Sequence, residues 1–201
     1  DEERAVKIID TSQLTEDQEY YVLNEIDILT SLSHPNIVVL EEVYQDDSHL
    51  YLVFEYLKGG DLLDAISRKG KFSEKDAAKS LIGVIDALNY CHNSGVVHRD
   101  IKLENLFYDN VDSSSIVKVG DFGLAFNDPQ SDQPVMTTVC GTLAYTAPEI
   151  INQEKYTPAV DAWSIGVVIY FLLSGSSPFK SSLSMTEEDV KHKIKECQFS
   201  F

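Results

Sequence analysis

The 201-residue sequence predicts an α+β fold. Three observations carry it. Strand-like apolar runs gather before residue 56; segments with helical spacing of apolar residues dominate after residue 73; and a short hairpin flanked by polar motifs interrupts the helices around residues 106–119.

Residues 4–9 read as a buried strand that carries a single lysine, Lys7, beside Ala5 and Val6. A lysine among apolar neighbours needs an anion. Residues 16–32 have helical periodicity, with Val22, Ile26, Leu29 and Leu32 on one face. At about 100° per residue Glu25 falls on that same stripe, so it also needs a partner, and Lys7 and Glu25 answer each other. The alternative is a surface glutamate and a snorkelling lysine. His34-Pro35-Asn36 breaks the helix, and strands are expected over 37–44 and 49–55. Lys58-Gly59-Gly60-Asp61 is a turn into a short helix over 62–67, for which Asp61 is a candidate N-cap. Ser73-Glu74-Lys75-Asp76 opens a long helix that recurs through Ala77, Leu81, Val84, Ile85, Leu88 and Cys91 and ends at Asn93-Ser94-Gly95.

Next come His98-Arg99-Asp100-Ile101-Lys102-Leu103-Glu104-Asn105 and, further on, Asp121-Phe122-Gly123. Between them the apolar runs 106–108 and 116–119 are divided by turn formers, the pattern of a β-hairpin. A hairpin brings its ends together, which sets Asn105 beside Asp121, with Asp100 and Lys102 just upstream. Hard oxygen donors in that number suit Mg²⁺, which takes one or two carboxylates and completes its shell with water and substrate phosphate. Asp100 is suited to accept a hydroxyl proton, and Lys102 to neutralise charge on a moving phosphoryl group.

A polar stretch over 127–133 follows, then Thr137-Thr138-Val139-Cys140-Gly141-Thr142 and Ala147-Pro148-Glu149. Pro158 precedes a nearly all-apolar helix reaching Leu173, with Asp161 in its first turn, which reads as buried. Residues 187–197 alternate in charge and read as a solvated surface helix.

Composition excludes several classes. At 43% hydrophobic residues the chain has ample material for a core, and its net charge of −17 repels a nucleic-acid backbone. Excess acid either steers basic peptides or only keeps the surface soluble. The longest apolar run, 165–173, is far short of the ~20 residues needed to cross a bilayer. Cys91, Cys140 and Cys197 are odd in number and far apart; with no signal-peptide pattern visible, they point to a reducing cytoplasmic (intracellular) setting, with Cys91 a packed thiol.

The motifs resemble the signature of the protein kinases, H-R-D-x-x-x-x-N followed by D-F-G. Lys102, two residues after Asp100, is similar to the Ser/Thr version, and the wording of residues 54–66, 70–87 and 92–107 is similar to the calcium/calmodulin-dependent group, which includes the calcium-dependent kinases. The resemblance implies two lobes, a small β-rich one (1–57, with the hinge) and a larger mainly helical one (58–201), with ATP between them. It also implies a protein Ser/Thr kinase using ATP and Mg²⁺. Asp100, Lys102 and Thr142 would be catalytic. Ala5, Lys7, Glu25, Phe54 as gatekeeper, the hinge residues Glu55 and Leu57, Asp61, Glu104, Asn105 and Asp121 would serve the nucleotide. Asn105 and Asp121 would hold the metal. Asp61 would contact ribose or a basic substrate side chain, if it is not simply the N-cap, and Asp161 would receive the catalytic-loop backbone. Arg99 would pair with a phosphate on Thr137 or Thr138, or with an acid such as Asp128 or Asp132. Basic protein or peptide substrates, and a calcium-binding regulatory domain or calmodulin outside the chain, would be the partners. No G-x-G-x-x-G precedes Lys7, and the helices that the family carries after Phe201, with the Arg that pairs with Glu149, are not in the sequence, so both lobes are expected to be incomplete and nucleotide binding weak. The competing expectations are a non-catalytic kinase-like scaffold and a small-molecule phosphotransferase.

Overall fold

The computed structural model describes residues 3–112, 114–128, 135–179 and 184–200. Strands β1 (Arg4–Asp10) and β2 (Leu40–Gln45) each pair antiparallel with β3 (His49–Glu55), giving the order β1-β3-β2. Lys7 stands opposite Leu52 and Ala5 opposite Phe54, so all four share one face of the sheet. Helix α1 (Glu16–Ser31) meets that face, and its start is fixed by a capping box between Thr15 and Gln18.

Two expectations about these strands are corrected. β1 is not a buried strand: Val6 is 49% and Ile8 61% exposed. It is an edge strand, and these side chains point to the face opposite α1, where no described helix lies. The run 37–44 is not one strand either. Val38 N donates to Val119 O (2.9 Å) and Val119 N to Asn36 O (2.8 Å), so its first residues pair with the later hairpin, and β2 begins only at Leu40, with a register shift before Glu42. On α1 the most buried positions are Glu25, Ile28 and Leu29, a stripe rotated from the expected one and including Ile28.

A short strand, β4 (Gly60–Asp61), leads into α2 (Leu62–Lys69), and α3 (Glu74–Asn93) is capped by Ser73. Along α3 the residues Ala77, Leu81, Val84, Leu88 and Cys91 are buried, whereas Ile85 faces solvent. At 3.6 residues per turn Ile85 lies roughly 80° from Ala77, outside the buried stripe. After β5 (Val96–Val97) the hairpin forms as expected from β6 (Leu106–Tyr108) and β7 (Val117–Val119), with β4 on its outer edge, while β8 (Phe126–Asn127) pairs with β5.

The remaining elements are α4 (Pro148–Ile151), α5 (Ala159–Ser174) and α6 (Glu187–Lys195). The main core runs from Ile28 through α2, α3, the hairpin, Phe122 and α5 to α6; a smaller cluster gathers Val97, Met136, Ala147, Ile150, Tyr156 and Val160. The expectation that α6 is a solvated helix is overturned, because Val190 and Ile194 are buried in the main core. Two apolar side chains at i and i+4 dock a helix whose other positions are charged. The result is a small β-sheet region and a larger helical region.

Candidate functional site

Asp161, fully buried in the first turn of α5, fixes the loop after β5. Its carboxylate accepts from the backbone amides of His98 (3.0 Å) and Arg99 (2.9 Å) and pairs with His92 Nε2 at 2.7 Å. Arg99 adopts a left-handed backbone with φ 67°, an unfavourable conformation that the two-pronged grip of Asp161 sustains. His98 Nε2 faces the carbonyl of Gly120 (3.0 Å) and its Nδ1 accepts from Asp100 N (3.3 Å), which sets the ring as the neutral Nε2–H tautomer. The same ring lies edge-on to Phe122 and so ties the first motif to the second.

The Asp100 carboxylate is surrounded by donors. Thr142 supplies its amide (2.9 Å) and hydroxyl (2.8 Å) to Oδ1; Lys102 Nζ (2.6 Å) and Asn105 Nδ2 (3.2 Å) reach Oδ2. Lys102 also donates to Thr142 Oγ1 at 3.1 Å. Thr142 can come this close because Gly141 precedes it: Gly141 has φ +95°, and a Cβ there would stand 2.7 Å from the carbonyl oxygen of Arg99.

At the base of the hairpin Gly120 N donates to Asn105 O (2.9 Å), so Asn105 and Asp121 stand at neighbouring positions, as the hairpin reading expected. The amide nitrogen of Asn105 is spent on Asp100, which leaves its amide oxygen to act as an acceptor. Asp121 has φ 56° and a half-exposed carboxylate 4.0 Å from Lys7 Nζ. Lys7 in turn donates to both oxygens of Glu25, at 3.0 and 2.7 Å, and Glu25 is only 2% exposed. The preceding residue, Asn24, donates through Nδ2 to the carbonyl of Ala125 at 2.9 Å, just beyond Gly123.

One cavity of about 600 Å³ is lined by Ala5, Lys7, Glu25, Phe54, Glu55, Leu57, Asp61 and Asp121. Eight of the thirteen residues singled out from sequence thus meet at one cavity; Asp100, Lys102, Glu104 and Asn105 lie on the loop after β5, and Thr142 reaches that loop from a later segment. The Glu55 carboxylate points elsewhere, held by Lys118 Nζ (2.8 Å to each oxygen) and Val39 N (2.8 Å), and the Glu55 amide donates to Val39 O (3.1 Å). Asp61 is the N-cap of α2, accepting from Asp64 N at 2.7 Å, and it also lines the cavity. Glu104 keeps one buried carboxylate oxygen, Oε2, with no hydrogen-bond partner among the described residues. Burial pushes the neighbouring Tyr145 phenol up, and the Glu104 charge adds to the shift. Among the described residues no trio of His, Cys, Asp or Glu is placed to hold a metal, and no helix is long and apolar enough to cross a membrane.

Sequence reasoning missed Tyr156. Its hydroxyl accepts from Arg99 Nη1 (3.3 Å) and donates to Thr138 O (2.7 Å), while Arg99 Nε donates to Leu124 O (2.7 Å). The only signal in the sequence is a tyrosine shortly after Ala147-Pro148-Glu149. Thr137 and Thr138 have exposed side chains, and Asp132 lies outside the described residues.

The protein kinase domain family matches residues 1–200. The chain is 47% identical over 175 residues to calcium/calmodulin-dependent protein kinase type 1 of Macrobrachium nipponense, covering 87% of this chain and 50% of that protein. It is 46% identical over 175 residues to the Caenorhabditis elegans protein of the same name, covering 87% and 49%. It is also 48% identical over 178 residues to the human serine/threonine-protein kinase DCLK3, covering 88% and 27%. The chain spans about half the length of the calcium/calmodulin-dependent relatives it matches. With a match over nearly its whole length, and with Lys7 on Glu25 and Thr142 on Asp100 as its motifs lead one to expect, the chain belongs to the protein kinase family.

Proposed function

We propose that the protein is a Ser/Thr kinase that transfers the γ-phosphoryl group of Mg-ATP to hydroxyls of basic protein segments. The observation that carries this reading is the Asp100 carboxylate, oriented by Thr142, Lys102 and Asn105. Phosphoryl transfer leaves a protein little covalent work and depends on positioning and charge neutralisation. Asp100 accepts the proton of the Ser or Thr hydroxyl as its oxygen bonds to the γ-phosphorus, and the bond to the β-phosphate oxygen breaks to release ADP. Lys102 neutralises charge on the phosphoryl group in flight. Lys7, held by Glu25, addresses the α- and β-phosphates. Phe54 and the backbone of Glu55 and Leu57 receive adenine beside Ala5, and Asp61 faces the ribose end of the cavity.

The donor chemistry fits Mg²⁺. Asp121 offers a half-exposed carboxylate and Asn105 an amide oxygen, and one carboxylate with few other protein ligands suits an ion that keeps water and phosphate in its shell. Held there, the ion would supply positive charge to offset that of the phosphates. In this reading residues 1–57 form the small lobe with the hinge and 58–201 the large lobe. Basic substrates are supported by the net charge of −17 and by the unsatisfied Glu104 Oε2. Thr138, nearer the Arg99–Tyr156 contact than Thr137, is the activating phosphosite. Calmodulin is the regulator suggested by the relatives' names, with a calcium-binding domain outside the chain as the alternative, and the three well-separated cysteines support an intracellular setting.

Incubation with labelled ATP and a peptide pool, against ATP alone, tests the activity. Label is expected on Ser or Thr of peptides and only when peptide is present; label on small molecules, or none, refutes the reading.

A further inference from the structure

Arg99 is buried, yet the partners of its guanidinium among the described residues are all neutral: the Leu124 carbonyl, the Tyr156 hydroxyl and the face of Phe126 at 5.7 Å. The phenol therefore does two things at once, accepting from the guanidinium and donating to Thr138 O. Burial raises the Tyr156 pKa, which keeps the hydroxyl protonated and able to donate. Its backbone adds a second attachment, because Met136 N donates to Tyr156 O (2.9 Å) and Tyr156 N to Met136 O (3.0 Å). Thr137, Thr138 and Val139 have exposed side chains, so apolar burial anchors this stretch only at Met136, in the smaller core cluster. Four residues beyond Thr138 the same segment delivers Thr142 to Asp100.

We propose that Tyr156 is a positioning residue whose hydroxyl holds residues 136–142 against the catalytic loop while Thr138 is unmodified, by joining Arg99 to the Thr138 backbone. The inference rests on the kinase reading of Asp100 and adds a regulatory consequence. The acceptor is the Thr138 carbonyl, so the tie does not depend on the threonine side chain. A phosphate on Thr138 supplies the buried guanidinium with an anionic, charge-assisted partner that takes over from the phenol.

Tyr156→Phe keeps the buried ring and deletes only the hydroxyl. In the full-length protein, the variant and the parent are compared with Thr138 unmodified and phosphorylated. The readouts are thermolysin cleavage within residues 135–141, KM for peptide, KM for ATP and thermal unfolding. With Thr138 unmodified, cleavage and peptide KM are expected to rise about 5-fold, the order of one lost hydrogen bond, while ATP KM and the unfolding midpoint stay unchanged. Phosphorylation of Thr138 is expected to shrink both differences. Unchanged cleavage and peptide KM overturn the proposal. So does a parallel rise in ATP KM with a lowered midpoint, which marks a purely structural tyrosine, and so does a penalty that phosphorylation leaves intact. Should neither protein phosphorylate peptide, the kinase reading fails, and the cleavage comparison still decides the tie.

Discussion

Thr142 donates both its backbone amide and its hydroxyl to one oxygen of the Asp100 carboxylate, at 2.9 and 2.8 Å. The residue that would take the proton is thereby oriented by the segment that would receive the peptide. Thr142→Val keeps the amide donor and the side-chain shape but removes the hydroxyl, which also serves Lys102. The expected loss in kcat is about 10-fold, the size of a hydrogen bond to a charged group, with little change in ATP binding. Steady-state kinetics with a fixed peptide checks it.

Replacing Asp100 by Asn removes the proton acceptor and leaves the shape. The rate of peptide phosphorylation is expected to fall by ~10²-fold or more, in line with loss of a positioned base. Calorimetric titration with Mg-ATP should give the same affinity for both proteins, because Asp100 is not among the residues lining the cavity proposed to take the nucleotide. Equal rates would remove Asp100 from its role.

In the basic-substrate reading the Glu104 carboxylate, one oxygen of which has no partner among the described residues, is the group that meets a cationic side chain. A positional peptide library should therefore show Arg or Lys selected N-terminal to the acceptor, and Glu104→Gln should weaken that selection by about 10-fold, the order of a charge-assisted pair. A preference for acidic or proline-directed peptides would contradict the assignment.

The burial of α6 gives a stability prediction. Ile194 is fully enclosed, so Ile194→Ala should lower unfolding free energy by about 2–5 kcal/mol in denaturant titration. A solvated helix would lose almost nothing.

The Cys91 thiol is buried and its pKa is pushed up to about 12, by desolvation first and the nearby Asp161 charge second. It is therefore a thiol, not a thiolate, at any pH where the fold is handled. Alkylation at pH 8 followed by mass spectrometry should mark the exposed Cys197 and spare Cys91.

Much of the site was legible because its residues carry an obligation. Lys7 and Glu25 each sat on an apolar element and each needed the other, so sequence alone paired them across 18 residues. The hairpin was legible from its turn formers, and it fixed Asn105 against Asp121. What escaped was set by tertiary packing. Whether Val6 and Ile8 are covered depends on what lies across the sheet, which their own strand pattern does not encode. Val190 and Ile194 were hidden among charges, since a narrow apolar stripe barely alters the local pattern. The Arg99–Tyr156 contact spans 57 residues and joins a cation to a neutral phenol, with no local mark to announce it.

Neighbouring residues of α1 grip two different parts of the chain: Asn24 holds the carbonyl of Ala125, and Glu25 holds Lys7 of β1. Successive helical positions point about 100° apart, so both grips are met at a single azimuth of the helix. A turn of α1 about its own axis displaces both groups together. The helix thus works as a coupling rod between the lysine strand and the chain that leaves Gly123, and its angular setting is one coordinate for the state of both.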